Sequence, residues 1–224
     1  MRILVFSAHP DDADFVCGAT VAKKTAEGHE VHYVIATGGQ KGKHGIDASP
    51  GQFALVREGE QRNSAAVLGV KSVTFLKFTD GELENNDDLS RRLVHEIREK
   101  KPDILMSMDP AAQKFDSVHR YHKDHRVMAA AVFDAGYPAA GNANFYPEAG
   151  EPWTPKEFWF FGGEPNRYED ASGFIDAKIT ALLCHKSQVN PGEMEKWVRQ
   201  WAAETGRKAG MAYAEAFRIL SFTR

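Results

Sequence analysis

Residues 3–12 read Ile-Leu-Val-Phe-Ser-Ala-His-Pro-Asp-Asp, an apolar run that ends on a histidine, a proline and two adjacent carboxylates. Such a run is typical of a central strand in a parallel sheet, where both faces are buried. Open α/β sheets place their ligand sites at the carboxyl ends of these strands. A divalent cation would relieve the repulsion between the carboxylates by binding His9 and one aspartate, leaving the other as a base toward water. The open alternative is a polar turn with an aspartate as helix cap.

A second polar motif lies more than a hundred residues later, just before an apolar run of helical spacing at residues 127–133. His122 and His125 stand three apart at the amino end of this run, so both can face one side of the helix. A ligand from this segment would complete a site of two histidines and one carboxylate, with one position open for water. The alternative is a solvated polar cap on the helix.

Strands and helices alternate along the chain. Predicted strands cover residues 2–8, 31–36, 73–76, 104–108 and 158–161, and predicted helices cover residues 13–26, 54–68, 89–99 and the segment behind His122. Two or more helices are expected to complete the chain. The alternation predicts an α/β fold with a Rossmann-like, mostly parallel three-layer sheet. In the strand order 3-2-1-4-5, strands one and four are neighbours, so both polar motifs open into one crevice at the switch point.

Length and composition favour one compact enzyme domain over residues 1–224. The net charge of -3 argues against a nucleic-acid partner, and no apolar run reaches the length of a membrane span. Cys17 and Cys184 are expected to be reduced thiols, as in a cytoplasmic protein. Trp197 and Trp201, four apart on a helix, are expected in the core or at a homo-oligomer interface.

The motifs at residues 8–12 and 122–125, AHPDD and HKDH, resemble the signatures of the LmbE-like, or PIG-L, de-N-acetylases. Further matching pieces in family order are Gly18-Ala19-Thr20, Arg57-Glu58 with Glu60, Ala65-Ala66, Leu68-Gly69, Asp80-Gly81, Lys178, His185-Lys186-Ser187-Gln188 and Glu215-Ala216-Phe217-Arg218. The chain departs from the family at Lys123, where proline is usual, and near Asp14, where glutamate is usual. Neither departure removes an expected metal ligand, but both can alter substrate fit.

The resemblance implies a metal-dependent hydrolase that removes an N-acetyl group from an amino sugar or sugar conjugate. It implies one Zn²⁺ per chain, or Fe²⁺ in the cell, held by His9, Asp12 and His125. Two alternatives stay open. The same centre would serve an amidase or esterase acting on another N-acyl or thiol conjugate. A non-catalytic sugar-binding relative is the other alternative, although the intact motifs argue against it.

The resemblance also implies roles for the remaining polar residues of the motifs. Asp11 is expected to take a proton from water and return it to the leaving amine. His122 is expected to stabilise the oxyanion, and Asp124 to hold the tautomer of an imidazole. The side chains expected to bind substrate are Arg57, Asp80 and His185.

The segment 137–155 is long for a loop in a compact domain, and such loops are usually functional. It contains Phe145, Tyr146 and Trp153. Their rings could stack on a sugar or its aglycone, or they could pin the loop to the protein surface.

Overall fold

Seven strands form the sheet in the computed structural model, which describes residues 1–42, 47–112 and 121–222. The strands are β1 (Arg2–Ser7), β2 (Glu30–Thr37), β3 (Ser72–Phe78), β4 (Ile104–Met108), β5 (Glu157–Phe161), β6 (Arg167–Asp170) and β7 (Ala214–Ser221). The α-helices are α1 (Asp12–Ala26), α2 (Pro50–Val67), α3 (Asp87–Lys100), α4 (Lys123–Asp134), α5 (Ile175–Leu182) and α6 (Pro191–Arg207). A π-helical turn spans Ala135–Ala139, and a 3₁₀ turn spans Pro147–Ala149.

The sheet order is β3-β2-β1-β4-β5-β7-β6, which confirms the predicted order of the first five strands. These five strands are parallel, and β1 lies between β2 and β4. Leu4 and Phe6 face a core cluster with residues of α3 and α4, whereas Ile3 and Val5 face a second cluster with residues of α1 and α5. Helices therefore cover both faces of the sheet, as the continuous apolar run of β1 predicted.

The last third of the chain departs from the expectation of helices alone. After β5 the sheet gains two antiparallel strands, β7 and then β6. The short β6 reads Arg-Tyr-Glu-Asp, and in β7 the charged Glu215 and Arg218 interrupt the apolar residues. Neither segment therefore presents a continuous buried run, which is the signal that identified the parallel strands. The sheet is mostly, not wholly, parallel.

Helix α2 begins at Pro50, earlier than the predicted start at residue 54. Ser49 accepts a hydrogen bond from the main-chain N–H of Gln52, and the Gln52 side chain accepts one from the main-chain N–H of Ser49. This is a capping box, and the proline occupies the first helical position, where its missing N–H costs nothing. Ser49, Pro50 and Gln52 thus mark the start of the helix, before its apolar residues begin to recur at helical spacing.

Helix α1 is broken at Cys17, whose φ of -139° and ψ of 15° are not helical. Just past the break, the N–H groups of Ala19 and Thr20 donate to the Glu215 carboxylate at 3.1 and 2.7 Å. The Lys178 ammonium lies 2.6 Å from the same carboxylate, so the buried charge is paired. Residues of β7 and α5 therefore fix α1, whose amino end carries the His-Pro-Asp-Asp turn.

Two other expectations concern membrane spans and cysteines. Among the described residues, no helix is long and apolar enough to cross a membrane. Cys17 and Cys184 are both free thiols, as the sequence predicted.

The long loop 137–155 lies at the amino edge of the sheet. Trp153 donates its ring N–H to the carbonyl of Pro102, just before β4, at 2.7 Å. The main-chain N–H of Trp153 donates to the carbonyl of Ala140 at 2.8 Å. The crevice between the carboxyl ends of β1 and β4 is at the opposite edge. The position therefore favours pinning of the loop over the predicted alternative of sugar stacking.

Arg98 of α3 holds this loop by hydrogen bonds to its main-chain carbonyls. Its side chain is buried, and its guanidinium nitrogens lie 2.6–3.2 Å from six carbonyl oxygens of the loop. The carbonyls belong to Ala139, Ala140, Asn142, Phe145, Tyr146 and Gly150. One planar cation thus supplies donors to six main-chain acceptors, four of which also accept a main-chain N–H of the loop.

We expect Arg98→Met to lower the free energy of unfolding by roughly 3–5 kcal/mol, because six loop carbonyls lose the charged donor that they share. Urea denaturation measures this loss. Arg91→Met on the same helix is the matched control, since Arg91 is exposed and its ion pairs with Asp87 and Glu148 are at the surface. The control should lose less than about 1 kcal/mol. Equal losses in the two variants would contradict the role of Arg98.

Candidate active site and metal centre

The two polar motifs meet at the carboxyl edge of the sheet. His9 follows β1, while His122 and His125 lie at the amino end of α4, after β4. The ring centroid of His9 is 4.8 Å from that of His122 and 5.1 Å from that of His125. One ligand nitrogen from each ring lies within 4.8 Å of the other two. The neighbouring positions of β1 and β4 therefore bring the distant motifs together, as the predicted strand order required.

Asp12 lies between two of these histidines. Its Oδ1 is 3.2 Å from His125 Nε2, and its Oδ2 is 3.5 Å from His9 Nδ1. The same two imidazole nitrogens are 3.2 Å apart. The main-chain N–H groups of Ala8 and His9 donate to Oδ2 of Asp12 and hold the carboxylate in place. Two imidazole nitrogens and one carboxylate thus converge, which is a donor set that zinc commonly uses.

Two further carboxylates, those of Asp80 and Asp124, lie on the side of the His9 ring away from Asp12. His9 Nε2 is 3.1 Å from Oδ1 of Asp80 and 3.2 Å from Oδ2 of Asp124. Asp124 is fully buried and accepts hydrogen bonds from the main-chain N–H groups of Gly81 and Leu83 at 2.7 and 3.2 Å. These acceptors favour a proton on Nε2, so Nδ1, which lies on the Asp12 side, is the nitrogen that would bind a metal.

The charge around His9 also fits a bound cation. Burial alone lowers the pKa of His9, but Asp12, Asp124 and Asp80 together raise it to about 12. Burial alone would raise the pKa of Asp12, but His125 and His9 outweigh it and hold the pKa well below its usual range. Three carboxylates around one imidazole create a strongly negative site. A divalent cation would neutralise this site, so both the donor set and its charge fit a metal ion.

Asp11 is adjacent to Asp12 in the turn, but its carboxylate is not among these converging atoms. Its backbone has φ 90° and ψ -31°, an unusual conformation for a residue other than glycine. Its carboxylate accepts a hydrogen bond from Arg57 at 3.0 Å, and its N–H donates to the side-chain oxygen of Gln61 at 2.7 Å. Burial raises the pKa of Asp11 to about 6, against the lowering effect of Arg57. A carboxylate with this pKa suits proton transfer near neutral pH.

His122 is exposed and caps helix α4. Its Nδ1 accepts a hydrogen bond from the main-chain N–H of Asp124 at 3.2 Å. Burial and the neighbouring His9 lower the pKa of His122 below its ordinary value, which favours the neutral ring. With Nδ1 acting as an acceptor, the single proton of that ring lies on Nε2. His122 can therefore present an N–H donor.

Two of the residues expected to bind substrate have protein partners instead. Arg57 is buried and donates to Asp11 and to two main-chain carbonyls at 2.6 and 3.0 Å. Asp80 places one oxygen near His9 and accepts the main-chain N–H of Lys41 with the other at 2.8 Å. The geometry favours support of Asp11 and His9 over direct contact with a sugar for these two side chains.

His185, the third residue expected to bind substrate, is fully buried, and its Nε2 lies 2.8 Å from Asp14. It therefore does not line the crevice in this structure. Asp14 also accepts a hydrogen bond from Gln61, a residue that the sequence reasoning missed. Gln61 lies one helical turn after Arg57, so this spacing was the available signal.

Comparison with known proteins identifies the family. Residues 4–136 match the family model PIG-L, described as GlcNAc-PI de-N-acetylase. Diacetylchitobiose deacetylase of Thermococcus kodakarensis is 29% identical over 226 residues, covering 98% of this chain and 83% of that protein. The 1D-myo-inositol 2-acetamido-2-deoxy-alpha-D-glucopyranoside deacetylase of Rhodococcus opacus is 26% identical, covering 84% of this chain and 82% of that protein.

Among solved structures, N,N'-diacetylchitobiose deacetylase from Pyrococcus horikoshii is similar, with a TM-score of 0.89 and 28% sequence identity. The similarity covers 98% of this chain and 84% of that one. The family model matches more than half of the chain, and the likeness in sequence and fold extends over nearly all of it. The chain therefore belongs to the PIG-L family, as its two motifs predicted.

Proposed function

We propose that this protein is a zinc-dependent hydrolase that removes the N-acetyl group from an amino sugar or sugar conjugate and releases acetate. The observation that carries the proposal is the convergence of His9, Asp12 and His125, with Asp11 beside them. The relatives named above are deacetylases of N-acetylated sugars, which supports the substrate class.

His9, Asp12 and His125 would hold the metal, zinc or, in the cell, ferrous iron. When bound there, the cation supplies Lewis acidity, which polarises a carbonyl oxygen and makes water a better nucleophile near neutral pH. Asp80 and Asp124 hold the His9 ring in the orientation that turns Nδ1 toward Asp12. Partners of this kind raise the basicity of a ligating imidazole and fix its tautomer.

Asp11 serves as the general base in this proposal. It takes a proton from the attacking water and later gives the proton to the leaving amine. Burial raises the pKa of Asp11, so its carboxylate is a stronger base than that of an exposed aspartate. Arg57 opposes a further rise in this pKa and fixes the carboxylate in place.

His122 stabilises the developing oxyanion. Because its Nδ1 accepts the N–H of Asp124, its Nε2–H is the available donor. The side chain is exposed, so a substrate carbonyl can reach it. A neutral donor placed in advance needs no reorganisation as negative charge develops on the carbonyl oxygen.

Acetate release tests the proposal directly. Purified protein loaded with Zn²⁺ is expected to release acetate from N,N'-diacetylchitobiose or another N-acetylated sugar in a panel that includes nucleotide-linked and inositol-linked sugars. Removing the metal with a chelator should lower the rate more than about 100-fold, and added Zn²⁺ should restore it. The matched control is His125→Ala treated in the same way.

The same panel contains the outcomes that would contradict the proposal. Turnover of a thiol conjugate or an ester, without acetate release from any N-acetyl sugar, would favour another amidase or esterase. Binding of sugars without turnover of any compound, in protein whose metal content is verified, would indicate a non-catalytic relative.

A further inference from the structure

The backbone of Asp11 needs external support. A non-glycine residue at φ 90° and ψ -31° is strained, and such strain persists only where the surroundings hold it. Arg57 holds the carboxylate of Asp11, and the side-chain oxygen of Gln61 accepts its main-chain N–H at 2.7 Å. This hydrogen bond ties the main chain of Asp11 to α2, the helix that also carries Arg57.

The direction of the Gln61 amide is set by Asp14. Gln61 is fully buried, and its Nε2 donates to Oδ2 of Asp14 at 2.9 Å. An amide can present either its oxygen or its NH₂ group to a neighbour, whereas a carboxylate accepts hydrogen bonds. Asp14 therefore selects the NH₂ group and leaves the Gln61 oxygen for the N–H of Asp11.

Several elements hold Asp14 itself. Four side chains place polar atoms 2.6–3.1 Å from its carboxylate, and the residue is fully buried. They are Tyr33 of β2, Gln61 and Ser64 of α2, and His185 after α5. Because three separate parts of the fold converge on this group, Asp14 is a rigid anchor for the Gln61 amide.

We propose that Gln61 is a positioning residue for Asp11, and that Asp14 fixes the direction of the Gln61 amide. The inference rests on the proposed function, in which Asp11 is the general base. Gln61 is buried behind the turn and acts through the main chain of Asp11. A displacement of about 1 Å at the reacting groups can cost about 100-fold in rate.

The test uses Gln61→Met, which keeps much of the side-chain volume but can neither accept from Asp11 nor donate to Asp14. With N,N'-diacetylchitobiose as the probe, kcat should fall about 10- to 100-fold while KM changes less than about 3-fold. Zinc content should stay at the wild-type level because no ligand is removed. Asn63→Met is the matched control, since it makes the same amide-to-thioether change at an exposed position of the same helix. Its kcat should stay within about 3-fold of wild type.

The Asp11→Asn background separates positioning from general structural damage. If Gln61 acts through Asp11, adding Gln61→Met to Asp11→Asn should lower kcat less than about 3-fold further. The full 10- to 100-fold loss in both backgrounds would assign Gln61 a structural role and overturn the proposal. Gln61→Ala provides a second variant if the methionine does not pack, and the same loss of kcat is expected. Wild-type kcat in a folded variant of either kind would also overturn the proposal.

The controls distinguish this inference from the proposed function. A wild-type protein that releases no acetate from any N-acetyl sugar would overturn the proposed function and this inference with it. Wild-type acetate release that Gln61→Met leaves unchanged would overturn the positioning role alone.

Discussion

Asp12→Ala and His125→Ala are each expected to reduce zinc affinity more than about 1,000-fold and to abolish measurable turnover. Each substitution removes one of the three proposed metal ligands, and loss of an outer partner alone typically costs about 10- to 100-fold in affinity. Asp12 lies 3.2 Å from His125 and 3.5 Å from His9, so either loss dismantles the donor set. Elemental analysis of purified protein measures the result, and the wild type should hold one ion per chain.

Asp80→Asn provides a graded comparison in the same experiment. Asp80 lies 3.1 Å from Nε2 of His9, on the side of the ring away from Asp12. Its substitution should weaken zinc binding by about 10- to 100-fold, less than loss of a ligand. Two ions per chain in the wild type would contradict the single-metal site. Full occupancy and activity in either alanine variant would show that the ligand assignment is wrong.

The two polar motifs and the edge of the sheet at which they meet could be predicted from the sequence. The apolar run before His9 identified a central strand, and alternation along the chain gave the order of β3, β2, β1, β4 and β5. This order is a common one for doubly wound sheets with right-handed crossovers. It placed residues 9 and 125 in one crevice, where their ring nitrogens lie 3.2 Å apart.

The supporting contacts could not be predicted in the same way. Arg57, Asp80 and His185 are polar residues in motifs, and sequence alone does not reveal whether their side chains face solvent or protein. Their partners depend on how α2, the turn at Gly81 and the segment after α5 pack around the first strand. A polar residue buried by tertiary packing forms hydrogen bonds that local sequence does not encode. The same limit explains why Gln61 was missed.

The second large effect is expected from Asp11→Asn, which should retain zinc and lose about 10²- to 10⁴-fold in kcat. Asparagine has nearly the shape of aspartate, and Asp11 is not among the converging ligands. The asparagine side chain cannot take a proton from water, so the proposed base is lost while the proposed metal ligands remain. Metal content and kcat, measured on the same preparation, separate this result from that of Asp12→Asn, which should lose metal.

The pH profile identifies Asp11 more specifically than the rate alone. Burial raises the pKa of Asp11 to about 6, and a bound cation nearby would lower it again. Asp11 is protonated below its pKa and cannot act as a base, so kcat/KM of the zinc-loaded protein should fall as the pH drops through that pKa, which lies below about 6 once the cation is bound. In Asp11→Asn this acidic limb should disappear or move to another group. In Arg57→Gln it should move to higher pH, because Arg57 lowers the pKa of Asp11.

Zinc content, turnover and the pH profile together test the roles proposed for Asp11 and Asp12. The Asp12 carboxylate lies near His9 and His125, whereas the Asp11 carboxylate lies near Arg57. Loss of zinc in Asp11→Asn, with retention in Asp12→Asn, would reverse the two roles. Near-normal turnover in zinc-loaded Asp11→Asn would remove Asp11 from the mechanism. An unchanged acidic limb in that variant would assign the limb to another group and leave Asp11 without its proposed proton-transfer step.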